Sequence, residues 1–126
     1  MTAHDLQKAL AGIAARAVTT AEEDAAAFSR LASFDQGALY VGRFAGETPW
    51  ERHRGGDELL HVLDGAVEVT VLTDEGARKT HVSAGCVFVV PRGLWHRQLA
   101  LPSVTLLAVT PDDSEVSNAD DPRTRS

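Results

Sequence analysis

An all-β fold, an antiparallel sandwich or barrel with a short N-terminal helical arm, is the class that this sequence predicts. Three observations carry the prediction. From Gly37 onward, Gly46, Gly56, Gly65, Gly76, Gly85, Gly93, Pro102 and Pro111 punctuate the chain at intervals of 8 to 11 residues. Between them lie short runs rich in Val, Leu and Ile-like aliphatic residues, the length of single strands. Ahead of Gly37 the apolar positions follow helical rather than alternating spacing. At 126 residues, 44% of them apolar, the chain is one domain able to bury a core without staples.

Residues 1–36 read as the helical arm. Leu6, Leu10, Ile13 and Ala17 predict a helix over 3–17. Thr20-Ala21-Glu22-Glu23 has the form of a capping box and opens a second short helix or turn toward Phe28 and Leu31. The arm is expected to pack outside the main body as a surface helix pair, with a functional lid as the alternative. Residues 37–111 form the barrel, with strands expected at 39–41, 59–63, 67–72, 87–90 and 104–109. Residues 73–79 read as an exposed hairpin loop, and Asp64-Gly65 as a tight turn. Residues 112–126 carry almost no apolar content and are expected to be a loosely attached polar tail.

Composition excludes several function classes. With 18 acidic against 12 basic side chains the net charge is −6, which opposes binding to nucleic acid or an anionic membrane. No segment approaches the ~20 consecutive apolar residues of a membrane span. The opening Met1-Thr2-Ala3-His4-Asp5-Leu6 lacks the basic and apolar regions of a signal peptide, so a cytoplasmic address is expected. Cys86 is the only cysteine, which leaves no internal disulfide and no cysteine-based zinc site. It is expected to be a small buried hydrophobe.

The chemistry concentrates in two segments, 50–65 and 85–96. Residues i and i+2 share a strand face, so Glu51 and His53 point together while Trp50 and Arg52 point away. Glu58 lies beyond the turn-forming Gly55-Gly56, where a neighbouring strand can present it to the same spot. His96 follows a second turn, Pro91-Arg92-Gly93. Two imidazoles and two carboxylates suit a divalent first-row metal.

The spacing of these residues resembles the cupin superfamily. His53, four spacers, Glu58, six spacers and Gly65 match the second half of that family's first motif, G-x5-H-x-H-x(3,4)-E-x6-G. Gly85, Pro91, Gly93 and His96 match the second, G-x5-P-x-G-x2-H-x3-N. The resemblance covers roughly residues 37–110. It implies a double-stranded β-helix, or jelly-roll, a metal pocket holding Mn, Fe, Ni or Zn, a small-molecule ligand and a homodimer. The dimer is expected to use the arm or residues 39–44, since sheet edges are usually covered.

Two positions depart from the family pattern. Glu51 stands at the first histidine and Ala100 at the asparagine. A three-histidine, one-glutamate set around a divalent ion leaves about +1, whereas two histidines with two carboxylates leave about zero. Such a site is a weaker Lewis acid and favours harder ions. Glu51 ligates on this reading, or instead pairs with Arg52, Arg54 or Arg97.

The remaining polar residues read blandly. Asp57 is a turn acceptor, His61 faces outward, His81 and His4 are solvated, and Trp95 is core or interface. Gln98 shares the face of His96 and either hydrogen-bonds a ligand or packs. Three function classes stay open: a metal-dependent dioxygenase, isomerase or decarboxylase acting on a small polar or carbonyl-bearing molecule, a non-catalytic binding or sensing module, and a structural barrel with a degenerate site.

Overall fold

A computed structural model describes residues 1–18 and 20–123. Two short helices, α1 (Leu6–Leu10) and α2 (Ala21–Ala26), precede the strands. These are β1 (Phe28–Phe34), β2 (Gly37–Glu47), β3 (Trp50–His53), β4 (Glu58–Thr73), β5 (Gly76–Ser83), β6 (Val87–Val90), β7 (His96–Pro111) and β8 (Ser114–Ser117). All eight join one curled antiparallel sheet, so the predicted all-β barrel forms. The long strand β7 is its spine. β7 pairs with β2 along one edge and β4 along the other, and its first residue meets β3.

Inward residues alternate along the two long strands, as a half-buried sheet requires. On β7 they are His96, Gln98, Ala100, Val104, Leu106 and Ala108. On β4 they run Glu58, Leu60 and Val62, then Val67, Val69 and Val71. The inward parity changes from even to odd between these two sets. The register shifts on either side of residues 64–65 make that change. Asp64-Gly65 is therefore a bulge inside a continuous strand and not the tight turn expected. Gly65 takes φ +75, and a Cβ there would collide with the Ser103 carbonyl of β7. Gly65→Ala should consequently lower stability by at least ~2 kcal/mol in urea unfolding. A loss below ~0.5 kcal/mol would show that the bulge relaxes freely.

Other expectations are corrected. The helix expected over 3–17 ends at Leu10, because Gly12 turns the chain with φ +86. The following residues run extended along β2: Ala45 N donates to the Arg16 carbonyl at 2.8 Å, and Ala17 bridges Ala45. The capping box at Thr20 does form, with Glu23 N donating to Thr20 Oγ1 at 3.1 Å. Phe28–Phe34, placed in the arm, is a strand paired with β2. Residues 39–42 are thus flanked by β1 and β7, and Arg43 N donates to the Ala27 carbonyl at 3.1 Å, rather than this edge lying open for a partner. The hairpin expected over 73–79 is tighter, since Thr73 already pairs with Gly76 and β5 continues beyond it.

The polar tail is likewise partly ordered: Ser114–Ser117 is β8, paired with β3, and polar side chains suit a strand whose outer face is wet. Residues 124–126 of that tail lie outside the described residues. Cys86 is exposed rather than buried, because it sits in the turn where its N–H donates to the Ser83 carbonyl.

Candidate metal centre

Three strands deliver the candidate residues. β3 carries Glu51 and His53, β4 opens with Glu58, and β7 opens with His96, paired across from Glu51. The two turns that aim them hold each other. Arg92 N donates to Asp57 Oδ1 at 2.8 Å, and Gly93 N donates to the His53 carbonyl at 2.8 Å. Asp57 is therefore a turn acceptor, though for the partner turn. Gly93 adopts φ +79, a backbone conformation that glycine takes at little cost.

The donor atoms converge. One donor each from Glu51, His53 and His96 lie within 4.8 Å of one another. Glu58 sits between the rings, its Oε2 3.5 Å from His53 Nε2 and its Oε1 3.0 Å from His96 Nε2. Glu51 Oε2 is also 3.5 Å from His53 Nε2. Despite this closeness, His53 Nε2 and Glu58 Oε1 are buried and make no hydrogen bond. They approach each other without lining up donor to acceptor, as donors aimed at a common point do. Ligand distances of about 2.0–2.2 Å to one ion fit atoms spaced this way.

The far sides of these groups are held by neighbours. His53 Nδ1 lies 3.0 Å from Ser114 Oγ on β8, and His96 Nδ1 lies 3.4 Å from the Leu94 carbonyl. Thr110 Oγ1 donates to Glu58 Oε2 at 2.6 Å. Fixing the second ring nitrogen selects which nitrogen faces the centre, a common support in metal sites.

Electrostatics divides the carboxylates. Burial pushes Glu58 toward the neutral form, but the imidazoles of His53 and His96 that face it outweigh burial and hold Glu58 well below the usual carboxylate range. Burial also works against protonation of His53, and Glu58 with Asp113 overcomes it and raises the imidazole. Glu51 goes the other way. Burial, together with the nearby Asp24 and Glu58 charges, raises it well above its ordinary value. Asp24, on α2 and lining the same cavity wall as Glu51, is itself raised, by burial first. Two carboxyl groups so placed share a proton more readily than they both ionise.

Sequence reasoning grouped Glu51, His53, Glu58 and His96, and the structure brings all four together. Glu51 does not use the arginines named as its alternative partners. Arg52 reaches Glu115 at 2.7 Å and stacks on Trp95, Arg54 also reaches Glu115, and Arg97 stacks on Trp50 and approaches Glu47. His61 is half-buried on the opposite parity of β4 from Glu58, while His81 and His4 are exposed. Trp95 is buried with Trp50 and Leu72 in a small cluster of its own. Asp24, Thr110 and Ser114 were not anticipated. Thr110 shares inward parity with His96 along β7, a signal that strand register could have supplied. For Asp24 and Ser114 no motif exists.

Beside the cluster lies a cavity of about 290 Å³. Its apolar wall includes Phe28, Leu60 and Leu106, and its polar wall includes Asp24, Glu51, Glu58 and Gln98. The arm is thus part of the chamber through α2.

Comparison with known proteins agrees with this geometry. The family model described as "Cupin domain" matches residues 43–105. Acireductone dioxygenases of two Rhodopseudomonas palustris strains are 47% identical over 47 residues, 37% of this chain and 28% of theirs. The match therefore spans under a third of those relatives' length. A solved Neisseria meningitidis protein superposes with a TM-score of 0.66 at 17% identity, covering 88% of this chain and 100% of that one. A cupin-2 domain containing protein from Shewanella frigidimarina superposes with a TM-score of 0.58 at 21% identity, covering 67% and 78%. With the family model spanning 63 of 126 residues over the very strands that carry Glu51, His53, Glu58 and His96, the chain belongs to the cupin domain family.

Proposed function

We propose that this protein binds one divalent first-row metal through His53, Glu58, His96 and Glu51, and uses it on a small polar or carbonyl-bearing molecule, in a reaction of the dioxygenase, isomerase or decarboxylase type. The observation that carries the proposal is the buried, unsatisfied pair His53 Nε2 and Glu58 Oε1 facing His96 Nε2. Leaving such groups unpaired costs about 1–3 kcal/mol each, and a metal ion would satisfy both at once. When bound, the metal would polarise an oxygen of the ligand as a Lewis acid. The protein's own groups orient the donors: Ser114 fixes His53 and Thr110 fixes Glu58, while burial and the neighbouring carboxylates push Glu51 toward its protonated form. The partial match to acireductone dioxygenase supports an oxygen-using chemistry.

A non-catalytic binding module is the second reading. It is favoured by Glu51 standing in place of an imidazole, with its carboxyl pushed toward the protonated form by burial and the nearby Asp24, which weakens it as a donor. Elemental analysis of untagged protein tests the common part: about one equivalent of Mn, Fe, Ni or Zn is expected, and a metal-free protein that refuses all four in titration removes both readings. Turnover assays under O₂ then separate enzyme from sensor. Glu51→His should shift preference toward Zn²⁺ or Cu²⁺ by about tenfold, since it restores a softer donor. An unchanged ranking in competition titrations would show that Glu51 does not ligate.

Cytoplasmic residence and a homodimer accompany the proposal. Among the described residues no helix is long and apolar enough to cross a membrane. β6 pairs with β4 alone and exposes Val87 and Val89, a sheet edge of the kind that partners cover. Light scattering showing a compact monomer at high micromolar concentration would overturn the dimer.

A further inference from the structure

We infer that the cavity beside the His53–His96 cluster is a site for a neutral, partly apolar molecule that donates a hydrogen bond to Gln98, and that it rejects carboxylates and phosphates. The inference takes this cavity as the ligand chamber of the proposed metal site and rests on that reading, narrowed to its dioxygenase and isomerase forms, since a decarboxylase has to admit a carboxylate. Its basis is the charge of the lining. The ionisable carboxyl groups that line the cavity are Asp24, Glu51, Glu58 and Asp112, and among the described lining residues there is no lysine or arginine. A bound divalent ion offsets at most two carboxylate charges, and no cationic side chain of the described lining answers the negative charge that remains.

The nearby guanidinium groups are committed elsewhere. Arg52 and Arg97 alternate away from Glu51, His53, His96 and Gln98 along their strands and stack on Trp95 and Trp50, 4.4 and 4.3 Å from the ring centroids. Arg54 reaches Glu115 at 2.7 Å. Arg43 holds Thr105 Oγ1 and the Ile13 carbonyl. An anionic ligand group entering here would therefore lose its hydration and find carboxylates instead of a counter-ion.

Gln98 points to the ligand's polarity independently of charge. It lines the cavity, is only 8% exposed, and its Oε1 is buried with no hydrogen-bond donor. Its backbone is already satisfied, the N–H donating to Thr48 Oγ1 at 3.0 Å and the carbonyl accepting from Thr48 N at 2.9 Å. Only the side chain is left over. A buried acceptor without a donor selects a ligand that brings an N–H or O–H. Phe28, Leu60, Leu106 and Ala108 supply the apolar side. Tyr40 adds a further aromatic edge.

Benzamide and benzoate test the inference as isosteres differing in charge and in the donor. Ligand-observed NMR titration of the metal-loaded protein should find benzamide bound at least about tenfold more tightly than benzoate. Gln98→Met should weaken benzamide by about tenfold. Ala25→Lys, on the exposed α2 wall of the cavity, should raise benzoate affinity toward that of benzamide. Equal or tighter benzoate binding, no benzamide binding, or no effect of Gln98→Met each overturns the inference. Metal content measured on the same samples reports the metal reading separately, so the failure of one is distinguishable from the failure of the other.

Discussion

Replacing His96 by alanine should reduce divalent-metal affinity by more than about a hundredfold, beyond the ten- to hundredfold range typical of losing a supporting residue around a metal. His96 is 2% exposed and its Nε2 lies 3.0 Å from Glu58 Oε1, so its removal takes away one donor and unsettles another. Glu58→Gln provides the volume-matched comparison. It keeps an oxygen in place but deletes the charge that both imidazoles face, and should weaken metal by a similar order. Ser114→Ala should act more mildly, by about ten- to hundredfold, because it only frees the far side of the His53 ring. Titration with Mn²⁺ and Zn²⁺, alongside circular dichroism to confirm the fold, ranks the three. If His96→Ala takes up metal like the parent protein, the four-residue centre is wrong.

The largest stability effect is expected at Phe44. Its side chain is fully buried in the main core cluster and packs at a tilt of 46° against Phe28, with ring centroids 6.2 Å apart. Phe44→Ala should cost about 3–5 kcal/mol in urea unfolding, through lost burial and the void left behind. Because Phe28 also lines the cavity, the substitution should loosen that wall before the candidate metal cluster, which stands on β3, β4 and β7. A cost below about 1 kcal/mol would mean that the barrel collapses into the void.

The barrel and the grouping of the candidate site residues were legible because both rest on local rules. Strand parity alone put Glu51 with His53, and the motif glycines mark places whose backbone needs φ above zero, turns at Gly85 and Gly93 and a bulge at Gly65. What the sequence hid depends on distant pairing. Asp64-Gly65 reads locally as a turn, and only the competing register of β7 makes it a bulge. Phe28–Phe34 has no clear alternation, yet β2 offers it an edge and it becomes a strand. Asp24 and Ser114 come to the site from segments that read as an outer arm and a loose tail. Neither carries a motif, because each is placed by packing against strands tens of residues away.

That both flanks close on one centre has a consequence for the order in which the molecule assembles during synthesis. β2 and much of β4 find their main partner in β7, and β3 finds its own in β8, so these strands leave the ribosome with an edge unanswered until residues 96–117 follow. β8 arrives later still, and with it the Ser114 hydroxyl that steadies His53. A nascent chain stalled before residue 114 would hold a nearly closed barrel whose His53 ring lacks its anchor. On the proposed reading, metal capture falls late in the birth of this protein, and the order of its own strands disfavours premature loading of a half-made chain.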